Sequence, residues 1–212
     1  MAEWAALEMR YRGNPIGGSN PPASAKIMSI SDNAKRVFKG VIFDVWQWEQ
    51  EMFDGSTATF EKVSRPATVE VIATVGDKIL IEQQDQPGRM NNVNLVSGRM
   101  ESDDMLAEAK RELLEETGYA SEDWELFMKH DNRGKVLHDV YYFIARNCKK
   151  VQEPQLDAGE RIETKLISFE ELINLSNEPR FWVGPEFIIR LLRMQMDPKQ
   201  KEEFRKKLFP KL

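Results

Sequence analysis

The chain has 212 residues, 41% of them hydrophobic and 31% charged, with a net charge of −5 at pH 7. That is enough chain for one well-packed domain with length to spare, and the acidic balance excludes broad sequence-independent binding to DNA or RNA, which needs a basic surface. Cys148 is the only cysteine, so no intrachain disulfide forms, and no apolar run approaches the length that spans a bilayer.

Residues 1–27 carry early charges without the apolar stretch of a secretory signal, so a cytoplasmic protein is expected. Within them, RYRGNPIGGSNPPAS is rich in Gly, Pro, Ser and Asn and lacks an apolar period, which predicts disorder. The segment also resembles the translated end of a transfer RNA gene, so Met28 is the expected biological start. Strands follow at 37–48 and 58–63, around Asp54-Gly55, and at 68–75 and 78–83, around Gly76-Asp77; both dipeptides suit hairpin turns. A strand at 92–96 leads to Gly98 and a helix at 104–117. Further strands are predicted at 125–129, 136–146 and 162–168, and helices at 169–175, 185–195 and 198–208. Strands and helices interleave without a regular βαβ beat, so the fold class is α+β.

The helix at 104–117 carries the chemistry. Asp103 or Asp104 can cap its start, and Gly118 suits the left-handed position after its end. Leu106, Ala109 and Leu113 share an apolar face, and Glu108, Glu112, Glu115 and Glu116 gather on another part of the circumference. Read plainly, such glutamates form a solvated face relieved by Lys110 and Arg111. Glycines at both ends and a strand delivering Val96-Ser97-Gly98 to the helix start favour a second reading, in which clustered carboxylates and a backbone carbonyl hold Mg²⁺ against phosphate oxygens.

Arg111-Glu112-Leu113-Leu114-Glu115-Glu116-Thr117-Gly118-Tyr119 resembles the second half of the Nudix signature, R-E-U-x-E-E-x-G-U, where U is aliphatic or aromatic. The first half departs from it: Gly98 lies one residue too close to Arg111, and Asp103 stands where the signature has Glu. The resemblance implies a Nudix-type α/β/α sandwich with a mixed sheet and an N-terminal antiparallel strand extension. It implies Glu112 and Glu116 as metal ligands, with Glu115 as a further ligand or catalytic support, the Ser97 carbonyl as a backbone ligand, and Arg111 orienting a glutamate. Mg²⁺ is the implied cofactor, with Mn²⁺ as a substitute.

The stretch from residue 37 to Gln86 resembles the N-terminal strands of ADP-ribose pyrophosphatases, which implies a homodimer formed through those strands. Phe60, Glu61 and Arg65 fall at substrate-contacting positions, and Trp46 or Trp48 could stack on a base, although core packing is the plainer reading of each aromatic. Gln86 replaces an arginine of the family, with Arg89 a possible substitute, and Gly98 completes the implied substrate set. The segment Asp157-Ala-Gly-Glu160 resembles the loop that supplies the catalytic base, Glu160 first and Asp157 second. Arg133 replaces a proline associated with ADP-ribose, so the implied substrate is ADP-ribose or another nucleoside diphosphate sugar. The expected divisions are a tail at 1–27, a dimerising strand unit at 28–66, a catalytic domain at 67–197 and a basic, solvated helix or tail at 198–212.

The resemblance leaves two other functions open: a non-catalytic Nudix module that binds a nucleotide sugar, and a housecleaning hydrolase of nucleoside triphosphates. Retention of Glu112, Glu115 and Glu116 weighs against the first, and the N-terminal strands against the second. One cysteine and two unspaced histidines, His130 and His138, give no zinc site.

Overall fold

The computed structural model describes residues 30–210, with the side chains of 131–133 left out; the expected tail and the Met28 start lie outside the described residues, as does the side chain of Arg133. The sheet begins with β1 (Lys35–Lys39), β2 (Asp44–Glu51) and β3 (Thr57–Ser64), an antiparallel meander. The single strand expected at 37–48 is two, because the Gly40 N–H turns back to the Phe43 carbonyl and interrupts the ladder. Asp54-Gly55 makes the next turn as expected, with Gly55 at φ 83°.

The body of the sheet is β4 (Thr68–Val75), β5 (Lys78–Gln86), β6 (Arg89–Asn94), β7 (Val96–Arg99), β9 (Asp123–Arg133), β10 (Val136–Arg146) and β12 (Arg161–Ile167). Its spine runs β1-β2-β3-β10-β4-β5-β12, with β6 on β5, β7 on β4 and β9 on β10. β10 pairs in parallel with both β3 and β4, and antiparallel with β9, so the sheet is mixed. The strand expected at 92–96 divides because its first half pairs with β5 and its second half crosses to β4. A short ribbon of β8 (Tyr119–Ala120) and β11 (Lys149–Lys150) lies apart.

Alternate residues of β4 enter two different cores, the pattern of a strand covered on both faces. Val69, Val71 and Ala73 pack with Leu80, Val96 and Phe143 under Ala109 and Leu113 of α1 (Met105–Thr117). Ile72 packs on the other face with Val140, Tyr142, Phe187 and Leu191, under α2 (Phe169–Asn174), α3 (Pro185–Met196) and α4 (Pro198–Leu208). The result is an α/β/α sandwich. Leu106, expected on the apolar face of α1, is 36% exposed and lies outside both cores.

The C-terminal helix is not the solvated appendage expected. Phe204, Leu208 and Phe209 are buried in the main core. The Arg146 guanidinium donates to the Lys207 carbonyl, Asp123 and Glu125, and Lys207 reaches Glu125 at 2.5 Å. Among the described residues no helix is long and apolar enough to cross a membrane.

Candidate active site

Asp104 sets the register of α1. Its carboxylate accepts from the N–H groups of Leu106 and Ala107 at 3.2 and 3.0 Å, starting the helix at Met105. At the other end, Gly118 adopts φ 74°, and a Cβ there would lie 2.1 Å from the Gln152 carbonyl oxygen, so two separate constraints favour glycine. With Ala109 and Leu113 fixed on the sheet, Glu108, Glu112 and Glu116 fall along the flank beside β7. All three are buried, which overturns the solvated-face reading for them; Glu115 alone stays substantially exposed.

β7 meets this flank closely. A Cβ on Gly98 would sit 1.8 Å from Glu112 Oε1, so the strand approaches the carboxylate only because residue 98 has no side chain. One residue earlier, the Ser97 N–H donates to Glu116 Oε2 at 3.2 Å. Gly98 thus takes the close-approach role despite the shifted spacing.

Arg111 holds the glutamates in place. Its guanidinium reaches Glu108 at 2.9 Å, Glu112 at 2.5 Å and Glu115 at 2.7 Å. These charge-assisted bonds raise the Arg111 pKa despite partial burial. Glu108 is held below the usual carboxylate range because hydrogen bonds from Arg111 and Ser102 outweigh its desolvation.

Glu82, which the motif did not point to, completes the cluster from β5. Leu80 faces α1, so Glu82, two residues further along the strand, faces it too. Glu82 and Glu116 bring their carboxyl groups together, and Glu82 Oε1 is buried without a partner. Burial first, and then neighbouring carboxylates, push both well above the ordinary glutamate value. Burial also lifts Glu112 to about 7, against the pull of Arg111. Glu160, from the loop before β12, adds its negative charge to all three and accepts from Gln86 Nε2 at 3.1 Å.

Such a set suits a hard divalent cation: the donors are oxygens crowded together out of solvent, and one buried oxygen is unpartnered. Among the described residues no three acidic, thiol or imidazole groups already form a closed coordination set. Glu112 and Glu115 are instead engaged by Arg111.

The other expected site residues divide. Asp157 is exposed, and its carbonyl accepts the Glu160 N–H at 2.9 Å in a turn. Arg89 stacks over Trp182 at 4.2 Å, a second residue that the motif did not point to. Trp46, Phe60 and Glu61 lie on the outer meander: Trp46 donates to Ser64, Phe60 packs on Trp48 with centroids 5.9 Å apart, and Glu61 accepts from Gln47. Those contacts tie them to their own strands rather than to the carboxylates. Arg65 lies between β3 and β4, its N–H bonded to the Leu137 carbonyl at 3.1 Å.

Comparison with known proteins gives the family and the fold. A model of the NUDIX domain matches residues 64–191. The chain is 26% identical over 173 residues to a methanol dehydrogenase activator of Bacillus methanolicus, covering 79% of this chain and 94% of that protein. It is 26% identical over 146 residues to an ADP-ribose pyrophosphatase of Bacillus subtilis (strain 168), covering 66% of this chain and 79% of that one. The crystal structure of an ADP compounds hydrolase superposes with a TM-score of 0.64 at 17% identity, over 82% of this chain and 98% of that one, a likeness of fold.

Proposed function

The chain is a Nudix hydrolase, a member of the NUDIX-domain family, and from that premise we propose that it cleaves the diphosphate linkage of a nucleoside diphosphate sugar, ADP-ribose or another, in a Mg²⁺-dependent reaction. The products are a nucleoside monophosphate and a sugar phosphate. The observation that carries this reading is the buried cluster of Glu82, Glu112 and Glu116 against Gly98, with one buried carboxylate oxygen left unpartnered.

Glu112 and Glu116, with the Ser97 carbonyl, are the proposed ligands, and Glu115 supports them through Arg111; Mn²⁺ is a chemically reasonable substitute. When bound, the cation supplies charge neutralisation and Lewis-acid activation at the diphosphate. The protein's own groups orient the rest. Arg111 fixes Glu112 and Glu115, and Gln86 holds Glu160. Glu160 is the proposed base, taking a proton from the attacking water as the bridging P–O bond breaks. Arg65, Gln86 and Arg89 line the substrate side, and Trp46, Phe60 and Glu61 would join it from the N-terminal strands in a homodimer. Exposed Val37, Phe38, Ile42 and Phe43 on and beside β1 support that dimer. A cytoplasmic location fits the single buried cysteine.

The likeness to a methanol dehydrogenase activator favours a second reading, in which nucleotide turnover or binding serves to regulate another enzyme. A panel of ADP-ribose, GDP-mannose, UDP-sugars, dinucleoside polyphosphates and nucleoside triphosphates, assayed with Mg²⁺ or Mn²⁺ by coupled phosphate release, tests the proposal. Nucleoside monophosphate from a diphosphate sugar is the expected result. Turnover of triphosphates alone would refute the substrate class.

A further inference from the structure

We propose that Trp182 is the nucleobase platform of the site, the flat surface on which the substrate's base stacks while its diphosphate meets the carboxylate cluster. This rests on the reading of the chain as a hydrolase of nucleoside diphosphate derivatives.

Phe181 pairs with Val93 in a parallel bridge that extends the sheet beyond β6. Two hydrogen bonds fix it, from the Val93 N–H to the Arg180 carbonyl at 2.9 Å and from the Trp182 N–H to the Val93 carbonyl at 2.8 Å. Phe181 and Val93 are both buried in the core under α2, α3 and α4. Successive side chains of extended backbone point to opposite faces, so Trp182 is directed to the other face, the one that carries α1. Asn94 shares that face, because it is the cross-strand partner of Glu82. Glu82, Asn94 and Trp182 therefore form a row across β5, β6 and the edge segment, two strand spacings or about 10 Å from end to end.

Arg89 gives the same orientation independently. It pairs across the hairpin with Gln86, whose amide donates to Glu160, and its guanidinium lies over the Trp182 ring at 4.2 Å. Cross-strand partners share a face, so Arg89 and the ring it covers belong to the face of Glu160 and the cluster.

A lone tryptophan beside an arginine is ordinarily a surface contact and nothing more. Here Arg89 covers one face of the ring, yet Trp182 stays 60% exposed, so ring surface remains open on a backbone that is clamped in place. Between the ring and the carboxylates lie the amides of Gln84 and Asn94, hydrogen-bonded to each other at 2.6 Å, a neutral floor that repels no phosphate. A nucleoside diphosphate laid along the row would set its phosphates at the carboxylate end, its ribose over the amides and its base on the ring, where stacking tolerates any base. Trp46 and Phe60, by contrast, are engaged within the outer strands, so this platform needs no second protomer.

The test uses the full chain with Trp182→Ala and Trp182→Phe, probed by calorimetry in Mg²⁺ with AMP, GMP, CMP and UMP and, as the control without a base, inorganic pyrophosphate. Trp182→Ala should weaken the best-bound monophosphate about tenfold or more, and Trp182→Phe should keep most of the affinity. Pyrophosphate should bind all three proteins within about twofold. On any diphosphate sugar the wild type turns over, Trp182→Ala should raise KM more than it lowers kcat. Unchanged monophosphate affinity in Trp182→Ala would overturn the proposal, as would an equal loss for monophosphate and pyrophosphate, or a wild type that binds no monophosphate. Monophosphate binding that depends on Trp182, in a protein with no activity on any diphosphate sugar, would leave the platform standing and refute the proposed reaction instead.

Discussion

Glu82 of β5 and Glu116 of α1 bear on one another across the seam between sheet and helix, each carboxyl almost wholly out of solvent and pushed above the usual glutamate value by burial and by its neighbours. Glu116→Gln should lower kcat by about 100-fold or more at saturating Mg²⁺, since it removes a ligand charge where charge develops in the reaction. The same change should leave the melting temperature in EDTA equal or higher, because it deletes a buried like charge. A variant with full turnover would remove Glu116 from the metal site.

Gly98→Ala tests the close approach of β7. Its Cβ would meet Glu112 Oε1 at 1.8 Å and Cδ at 1.9 Å, so Glu112 must swing away. A side chain can yield where backbone cannot, so the fold should survive while turnover falls by roughly 10- to 100-fold and the Mg²⁺ requirement rises. A Mg²⁺ titration of activity, with circular dichroism as the control for folding, reads both. An unchanged Mg²⁺ midpoint would mean that Glu112 does not hold the cation.

Glu160 and Asp157 separate as candidates for the base. Glu160 interacts with the buried carboxylates and is oriented by Gln86, whereas Asp157 is exposed. Glu160→Gln should lower kcat by about 10²- to 10⁴-fold, and Asp157→Asn by much less. Single-turnover rates at saturating substrate decide the order, and a larger loss from Asp157→Asn would reverse the assignment.

His138 gives the fold an acid-side weakness. Burial, followed by the charge of Arg65, lowers its pKa from 6.5 to about 4, with Asp139 opposing and His130 adding to the shift. The unfolded chain therefore takes up a proton near pH 6.5 that the folded chain refuses until about pH 4. His138 favours the fold above pH 6.5, and this contribution is lost as the pH falls from about 6.5 to about 4. His138→Asn should flatten that part of the stability profile. Urea midpoints at pH 7.5, 6 and 4.5 for both proteins measure it, and parallel profiles would contradict the assignment.

Local signals made much of this legible in the sequence. The helix at 105–117 was marked by an acidic cap, an apolar stripe and a terminal glycine, and the motif on it pointed to Glu112, Glu116 and Arg111. What stayed hidden depends on partners distant in the chain. A glutamate in a strand reads as facing water, and only the arrival of α1 over β5 makes Glu82 part of the cluster. The apolar run Val41-Ile42-Phe43 hid the break between β1 and β2. The exchange of partners between β6 and β7 has no local signature either.

The C-terminal helix shows the same effect in energetic form. Lysines and glutamates dominate α4, which is why it read as solvated, yet Phe204 and Leu208 stand four residues apart and form a narrow apolar stripe. Phe204 is 2% exposed and packs on Phe127 and Phe169, with centroids 5.1 and 6.0 Å away. Emptying that place removes both the transfer free energy and the packing around the ring, so Phe204→Ala should destabilise the fold by about 3–5 kcal/mol. Urea denaturation at pH 7.5 reads the loss directly. A change below about 1 kcal/mol would mean the helix is only loosely docked, since that is the range of surface substitutions. In the expected case the basic tail is a structural part of the catalytic domain, and the sandwich depends on residues that lie beyond the family match ending at 191.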